Sequence, residues 1–344
     1  MIFNMSYIGK TLFLTVALTA SVLFFGNVFA NAQENINGPT PTDKTDYSNM
    51  WQTTDNQGPF GTCAIFTTIS LLEAEYLRTF GEKINFSQGD LWVHLMLGKT
   101  RDEAPDGLKK IVTQEVFAHW TADWKQGVEG LVEHRGRFGA GYVNEDFALA
   151  QQVGLKTAET FPYETAKSFF LNLSIMLSRF YFPGPDRHQI QLHPVDTFPN
   201  LQKFYAKLLE KEDASLNFFF DTTKNFSAPD PHWLSRLKIP AIDNIETQTN
   251  DQKKELMIKA LSCKPIGVSI ASNYYGEQHK GSHAEIVSGY NPQTDEFEIK
   301  NSWGGEGFFG RAGNFEHAKA KNYMPHVQNI YFIVDPEKPC PAFQ

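Results

Sequence analysis

Cysteine is scarce. The 344 residues contain only three, Cys63, Cys263 and Cys340, too few for a disulfide scaffold. No Cys-x-x-Cys pair, no Cys/His zinc spacing and no His-Glu-x-x-His segment occurs, so neither a metal nor a cofactor is expected. Long basic runs are missing as well, and the net charge is -8. That balance argues against a nucleic-acid partner. Beyond the N-terminal region no apolar run reaches 18 residues, so no integral membrane span is expected in a mature chain. Internal repeats and low-complexity tracts are also absent. Phenylalanine, by contrast, is abundant, with 29 Phe against 12 Tyr and 6 Trp. The excess fits a packed core or an apolar cleft and selects neither.

The N-terminus differs from the rest. Residues 1–32 carry one charge, Lys10, then an apolar stretch over 11–25, then the small-x-small segment Ala30-Asn31-Ala32. This pattern reads as a secretory signal peptide cleaved near Ala30 or Ala32, and the apolar stretch is short for a membrane span. The expected location is secreted or periplasmic. Export permits disulfides, but sequence separation does not say whether Cys263 and Cys340 lie close enough to pair.

Residues 33–50 are polar and read as an extended entry segment. Apolar residues at 65, 66, 69, 72, 76 and 77 follow a helical period that Gly81 stops, which predicts a buried helix beginning at or just before Cys63. Ser87 is placed to cap a second helix. Further helices are expected over 108–126, 144–152, 198–212 and 253–262. Strands are expected at 265–270, 284–290, 296–300 and 329–334. Helices first and strands later predict an α+β chain of two subdomains.

Cys63 follows a tight loop marked by Gly58, Pro59 and Gly61. A cysteine at a helix N-terminus meets free N–H groups and the positive end of the helix dipole, and both favour the nucleophilic thiolate. The Gln57 amide and the Cys63 N–H could bind one oxyanion. A small buried residue at a helix start would look the same.

The run Asn56-Gln57-Gly58, then Gly61-Thr62-Cys63 and Phe66, resembles the active-site segment of papain-family cysteine peptidases. Two further segments are similar to that family. One is Ser282-His283-Ala284-Glu285-Ile286-Val287-Ser288-Gly289-Tyr290, and the other is Lys300-Asn301-Ser302-Trp303-Gly304. The resemblance implies a two-subdomain fold, with a helical left part, a β-barrel-like right part and the cleft between them. It implies Cys63 as nucleophile, His283 as base and acid, Asn301 as the residue that orients His283, Gln57 in the oxyanion site, and Trp303 covering the His283–Asn301 bond. Less specifically, Ala140, Gly141 and Tyr142 look like the family's substrate edge, followed by Phe161-Pro162-Tyr163 as its aromatic turn. Glycine there lets backbone approach an extended peptide closely.

On this reading residues 1–32 are the signal, 33–165 a helical subdomain carrying the nucleophile, 166–252 a connecting or inserted region, and 253–344 a β-rich subdomain carrying His283 and Asn301. The implied activity is cysteine-type hydrolysis of polypeptide through an acyl-enzyme. An acyl or amide transferase, or a peptide-binding protein without catalysis, are the alternatives on the same fold. The sequence is silent on oligomeric state.

There are departures. His283 and Asn301 follow Cys63 by 220 and 238 residues, against roughly 130–150 in the family. The surplus falls at about 95–136 and 166–250. Phe60 and His94 stand where the family's disulfide cysteines are expected, Ala64 replaces the usual Trp, Ala140 replaces the first of two glycines, and Ser282 replaces an acidic or amide residue. With so few residues between Ala32 and Cys63, an N-terminal inhibitory propeptide is not expected.

Overall fold

The computed structural model describes residues 44–51, 55–58, 60–112, 141–177, 181–183, 190–192, 216–239, 245–276, 281–303 and 315–340. The expected helix over 198–212 and residues 113–126 of another lie outside these.

The first long helix, α1 (Cys63–Phe80), is buried nearly all round from Ala64 to Tyr76. It ends where Gly81 adopts a left-handed φ of 76° and its N–H bonds Leu77 O at 2.8 Å, a conformation glycine takes without a Cβ clash. Helix α2 (Gln88–Leu97) starts at the expected cap, the Ser87 hydroxyl accepting from Asp90 N at 2.9 Å. Helices α3 (Ala104–Val112), α4 (Val143–Val153) and α5 (Tyr163–Leu177) also belong to the helical part, with α2 and α4 packed against α1. Helix α6 (Asn250–Leu261) begins three residues earlier than expected. Its cause is a capping box: the Thr249 hydroxyl accepts from Gln252 N, and Gln252 Oε1 accepts from Thr249 N.

The strands are β1 (Thr45–Asp46), β2 (Tyr181–Pro183), β3 (Ile190–Leu192), β4 (Ile266–Ala271), β5 (Ser282–Asn291), β6 (Glu296–Lys300), β7 (Phe315–Lys319) and β8 (Val327–Tyr331). One antiparallel sheet runs in the order β7-β6-β5-β4-β8, with β1 pairing the far end of β5. The pair β2-β3 stands apart from it. The α+β class expected from the sequence is therefore what the chain adopts: helices around α1, and an antiparallel sheet built from the C-terminal third. Strand β7 was not anticipated, because it is an edge strand with only Ala318 buried and carries charges as edge strands do. The last strand starts two residues and ends three residues earlier than expected, over Val327–Tyr331.

Strand β5 divides the two cores. Before the irregularity between Val287 and Gly289, Ala284 and Ile286 join the core around α1 while Val287 joins a second core of sheet residues, α6 and Tyr323; beyond it the register shifts and Tyr290 joins the second core as well. Side chains two apart share a face, so His283 and Glu285 lie on one side of β5 while Ala284 faces α1. Cys263 and Cys340, whose pairing the sequence left open, are bonded, with Cα atoms 5.8 Å apart. Among the described residues the phenylalanines go largely into packing. Phe86 and Phe226 stack edge-on at 5.4 Å, and Tyr76 meets Trp233 at 5.4 Å, which ties residues 226–233 to the helical core. Among the described residues no helix is long and apolar enough to cross a membrane.

Candidate active site

Cys63 is the first residue of α1, after the N-cap Thr62. Its sulfur is met by backbone N–H groups of Ala284, Ala64 and Cys63 itself. The influence of the Ala284 N–H places the thiol near the start of β5. Burial pushes the thiol up, the N–H bonds oppose that, and the Asp146 carboxylate adds to the upward push. Cys63 is a free thiol.

His283 is buried, and its Nε2 lies 3.1 Å from Asn301 Oδ1. Burial pushes the imidazole down to about 4, with the Asn301 bond opposing it. The Trp303 ring stacks on His283 with centroids 4.4 Å apart and planes 27° from parallel. The Asn301 amide is fixed from behind: Nδ2 donates to Tyr275 Oη at 3.2 Å and to Glu316 Oε1 at 3.3 Å. Its oxygen is thereby turned to the ring.

Gln57 is held on every side. Its N–H donates to Ser302 O at 2.8 Å, its Nε2 donates to Phe60 O at 2.6 Å, and its Oε1 accepts from the Ser302 hydroxyl. Tyr163 Oη donates to Gln57 O at 2.9 Å and shares a bond of 3.0 Å with the Thr62 hydroxyl. An amide nitrogen has two hydrogens, so one remains after Phe60 O is served. Lys300 fastens the two halves, pairing with Asp55 and donating to Ser70 of α1 at 3.0 Å.

The expected substrate edge is described in part. Tyr142 caps α4 and is 65% exposed, enough for its ring to meet a ligand. A Cβ on Gly141 would come within 2.7 Å of Asp146 Oδ1, so glycine is required there by close packing within the chain. Ala140 lies outside the described residues. Both Asp146 oxygens are buried without a hydrogen-bond partner, and burial pushes its carboxyl up to about 7. Phe60 packs on Trp92 at 4.8 Å, and His94 bonds Gly98 O at 3.1 Å. No metal-holding group of three His, Cys, Asp or Glu occurs among the described residues.

The structure thus brings Gln57, Cys63, His283, Asn301 and Trp303 to the junction of α1 with β5 and β6. It also adds Tyr163, Ser302, Tyr275 and Glu285, which the sequence alone did not single out. Tyr163, Ser302 and Glu285 stood in segments that carried a signal, without a role of their own, and Tyr275 stood in none. Chemically the arrangement offers a thiol at a helix N-terminus, a base with a fixed acceptor behind it, and a spare amide donor.

No protein-family model matches this sequence, and no curated protein matches it. Among solved structures it is similar to the digestive procathepsin L 3 of Tenebrio molitor larval midgut, at 13% identity and a TM-score of 0.45, covering 86% of this chain and 71% of that one. It is also similar to a Carica candamarcensis cysteine protease, at 13% identity and a TM-score of 0.42, covering 86% of this chain and 98% of that one. Likeness at this level establishes no kinship, and the chemistry rests on the site itself.

Proposed function

We propose that the protein is an exported, papain-like cysteine peptidase. The observation that carries this reading is the His283 Nε2–Asn301 Oδ1 bond of 3.1 Å, with His283 on a strand that packs against the helix whose first residue is the free thiol Cys63. His283 takes the Cys63 proton, and the thiolate attacks a peptide carbonyl. The second Gln57 N–H and the Cys63 N–H receive the oxyanion. His283 then protonates the leaving amine and activates water to release the acyl-enzyme. Asn301 sets the imidazole tautomer without adding charge, and Trp303 shields that bond from water. Polypeptide would lie along Gly141 and Tyr142. Export is supported by the apolar stretch at 11–25 and by the Cys263–Cys340 disulfide.

The test is cleavage of a quenched-peptide library by wild type and Cys63→Ala, alongside labelling with a thiol-reactive inhibitor. Cleavage and labelling lost together in Cys63→Ala support the reading. Cleavage that survives the substitution overturns it. Labelling of Cys63 without cleavage of any peptide moves the activity to acyl or amide transfer.

A further inference from the structure

Glu285 follows His283 by two residues on β5 and so points to the same face of the sheet. Across β4 its neighbour in register is Val268, and that of His283 is Ile270. A carboxylate in such apolar surroundings is costly unless it is hydrogen-bonded. Glu285 is, by two phenols from separate elements. Tyr323, from the short helix Ala320–Tyr323, donates to Oε1 at 2.6 Å, and Tyr275, from the turn after β4, donates to Oε2. Each oxygen thus accepts an O–H, the pattern of an ionised carboxylate, which can only accept. Both phenols are pushed well up by burial and by the Glu285 charge, so they stay protonated donors.

The Oε2 of Glu285 lies 3.7 Å from His283 Nε2. That is too long to compete with Asn301 for the ring proton but well within the range at which opposite charges favour the ionised form. We propose that Glu285 is a positioning residue that holds His283 as imidazolium, so that Asn301 supplies direction and Glu285 supplies charge. This rests on the reading of Cys63 and His283 as thiol and base. Burial alone drives both groups neutral, and a neutral pair is a poor nucleophile. Tyr275, Asn301 and Trp303 also face the ring, and Cys63 of α1 is the thiol that the proposed reaction sets against it. Glu316 of β7 stands behind Asn301, and Tyr274 packs on Tyr323 and His326 at the outer end of the network.

The experiment has two arms on the full mature chain. In the first, the rate of Cys63 alkylation by iodoacetamide is followed from pH 4 to 9 in wild type and Glu285→Gln. The reactive plateau set by the imidazolium should end about one to two pH units lower in Glu285→Gln, with Glu285→Asp falling between. Superposed profiles overturn the proposal. In the second, the His283 ring is titrated by nitrogen NMR in Cys63→Ala, where the thiolate cannot contribute and Glu285 is untouched. A ring that titrates at or above about 6.5 supports the proposal, and a ring already neutral at pH 5 overturns it, whether or not Glu285→Gln folds. A Cys63 that never alkylates in wild type would instead sink the reading of the site as a thiol enzyme and leave the His283 titration to judge Glu285.

Discussion

Gln57 and Ser302 are joined twice, the Gln57 N–H to the Ser302 carbonyl at 2.8 Å and the Ser302 hydroxyl to the Gln57 side-chain oxygen. The loop before the nucleophile is thereby stitched to the segment just after Asn301, and the Gln57 amide has one orientation. Truncating the amide in Gln57→Ala should lower kcat by about 10²–10³, the usual loss of one oxyanion donor. Ser302→Ala leaves the donor but frees its angle, and should lower kcat between about 10- and 100-fold with KM little changed. Steady-state kinetics on a peptide cleaved by wild type reads both. Equal KM and kcat effects in Ser302→Ala would mean that Gln57 serves only the fold.

The two halves of this stitch differ in how visible they were beforehand. Gln57 stood out because a side-chain amide six residues before a helix-start cysteine has a chemical use. Ser302 did not, because a serine beside Asn301 carries no periodicity and no charge. Helix α1 was legible from its apolar period and from Gly81, and strand β5 from its run of apolar residues. Glu285 was not, since nothing in its own strand shows that Tyr275 and Tyr323, from separate elements, meet its carboxylate. Strand β7 escaped because an edge strand buries too little to leave a pattern. The Cys263–Cys340 bond joins residues 77 apart, a distance along the chain that carries no information about distance in space.

Tyr163 links the two ends of the nucleophile loop, its hydroxyl bonding both Gln57 O and the Thr62 hydroxyl. Its ring is independently packed, edge-on to Phe66 at 4.9 Å and stacked on Trp92 at 5.4 Å. Tyr163→Phe keeps that packing and removes only the hydroxyl. Leaving the buried partners unsatisfied should cost about 1–3 kcal/mol of stability. The same change loosens Gln57, so kcat should fall by about tenfold. Urea unfolding and kinetics on one preparation separate the two effects. A loss of stability with kcat intact would show that the loop is held by its other bonds.

The disulfide closes a long loop between the end of α6 and the C-terminal residues. A loop of that length is worth about 4 kcal/mol through the unfolded chain, so reduction should lower Tm by about 6 °C in a chain of this size. Mass spectrometry supplies the count. Alkylation after unfolding without reductant should add one label, at Cys63, and alkylation after reduction should add three. Three labels without reductant would mean that the bond does not form.

Glu73 sits on the buried face of α1 and accepts one hydrogen bond, from Phe86 N at 2.9 Å. Burial pushes its carboxyl from 4.5 up to about 8, opposed only by that bond. Between those values the folded protein holds a proton that the unfolded chain has released, so stability falls as pH rises through the window. Glu73→Gln keeps an acceptor for Phe86 and removes the titration. The stability difference between the variant and wild type should be small near pH 4.5 and grow in favour of the variant toward pH 8, to at most about 5 kcal/mol. The titration of His283 adds its own dependence on pH. That contribution is common to both proteins and cancels in the difference. Urea midpoints taken at intervals from pH 4.5 to 8 therefore isolate Glu73, and a difference that stays flat would mean its carboxyl is ionised in the folded state at neutral pH.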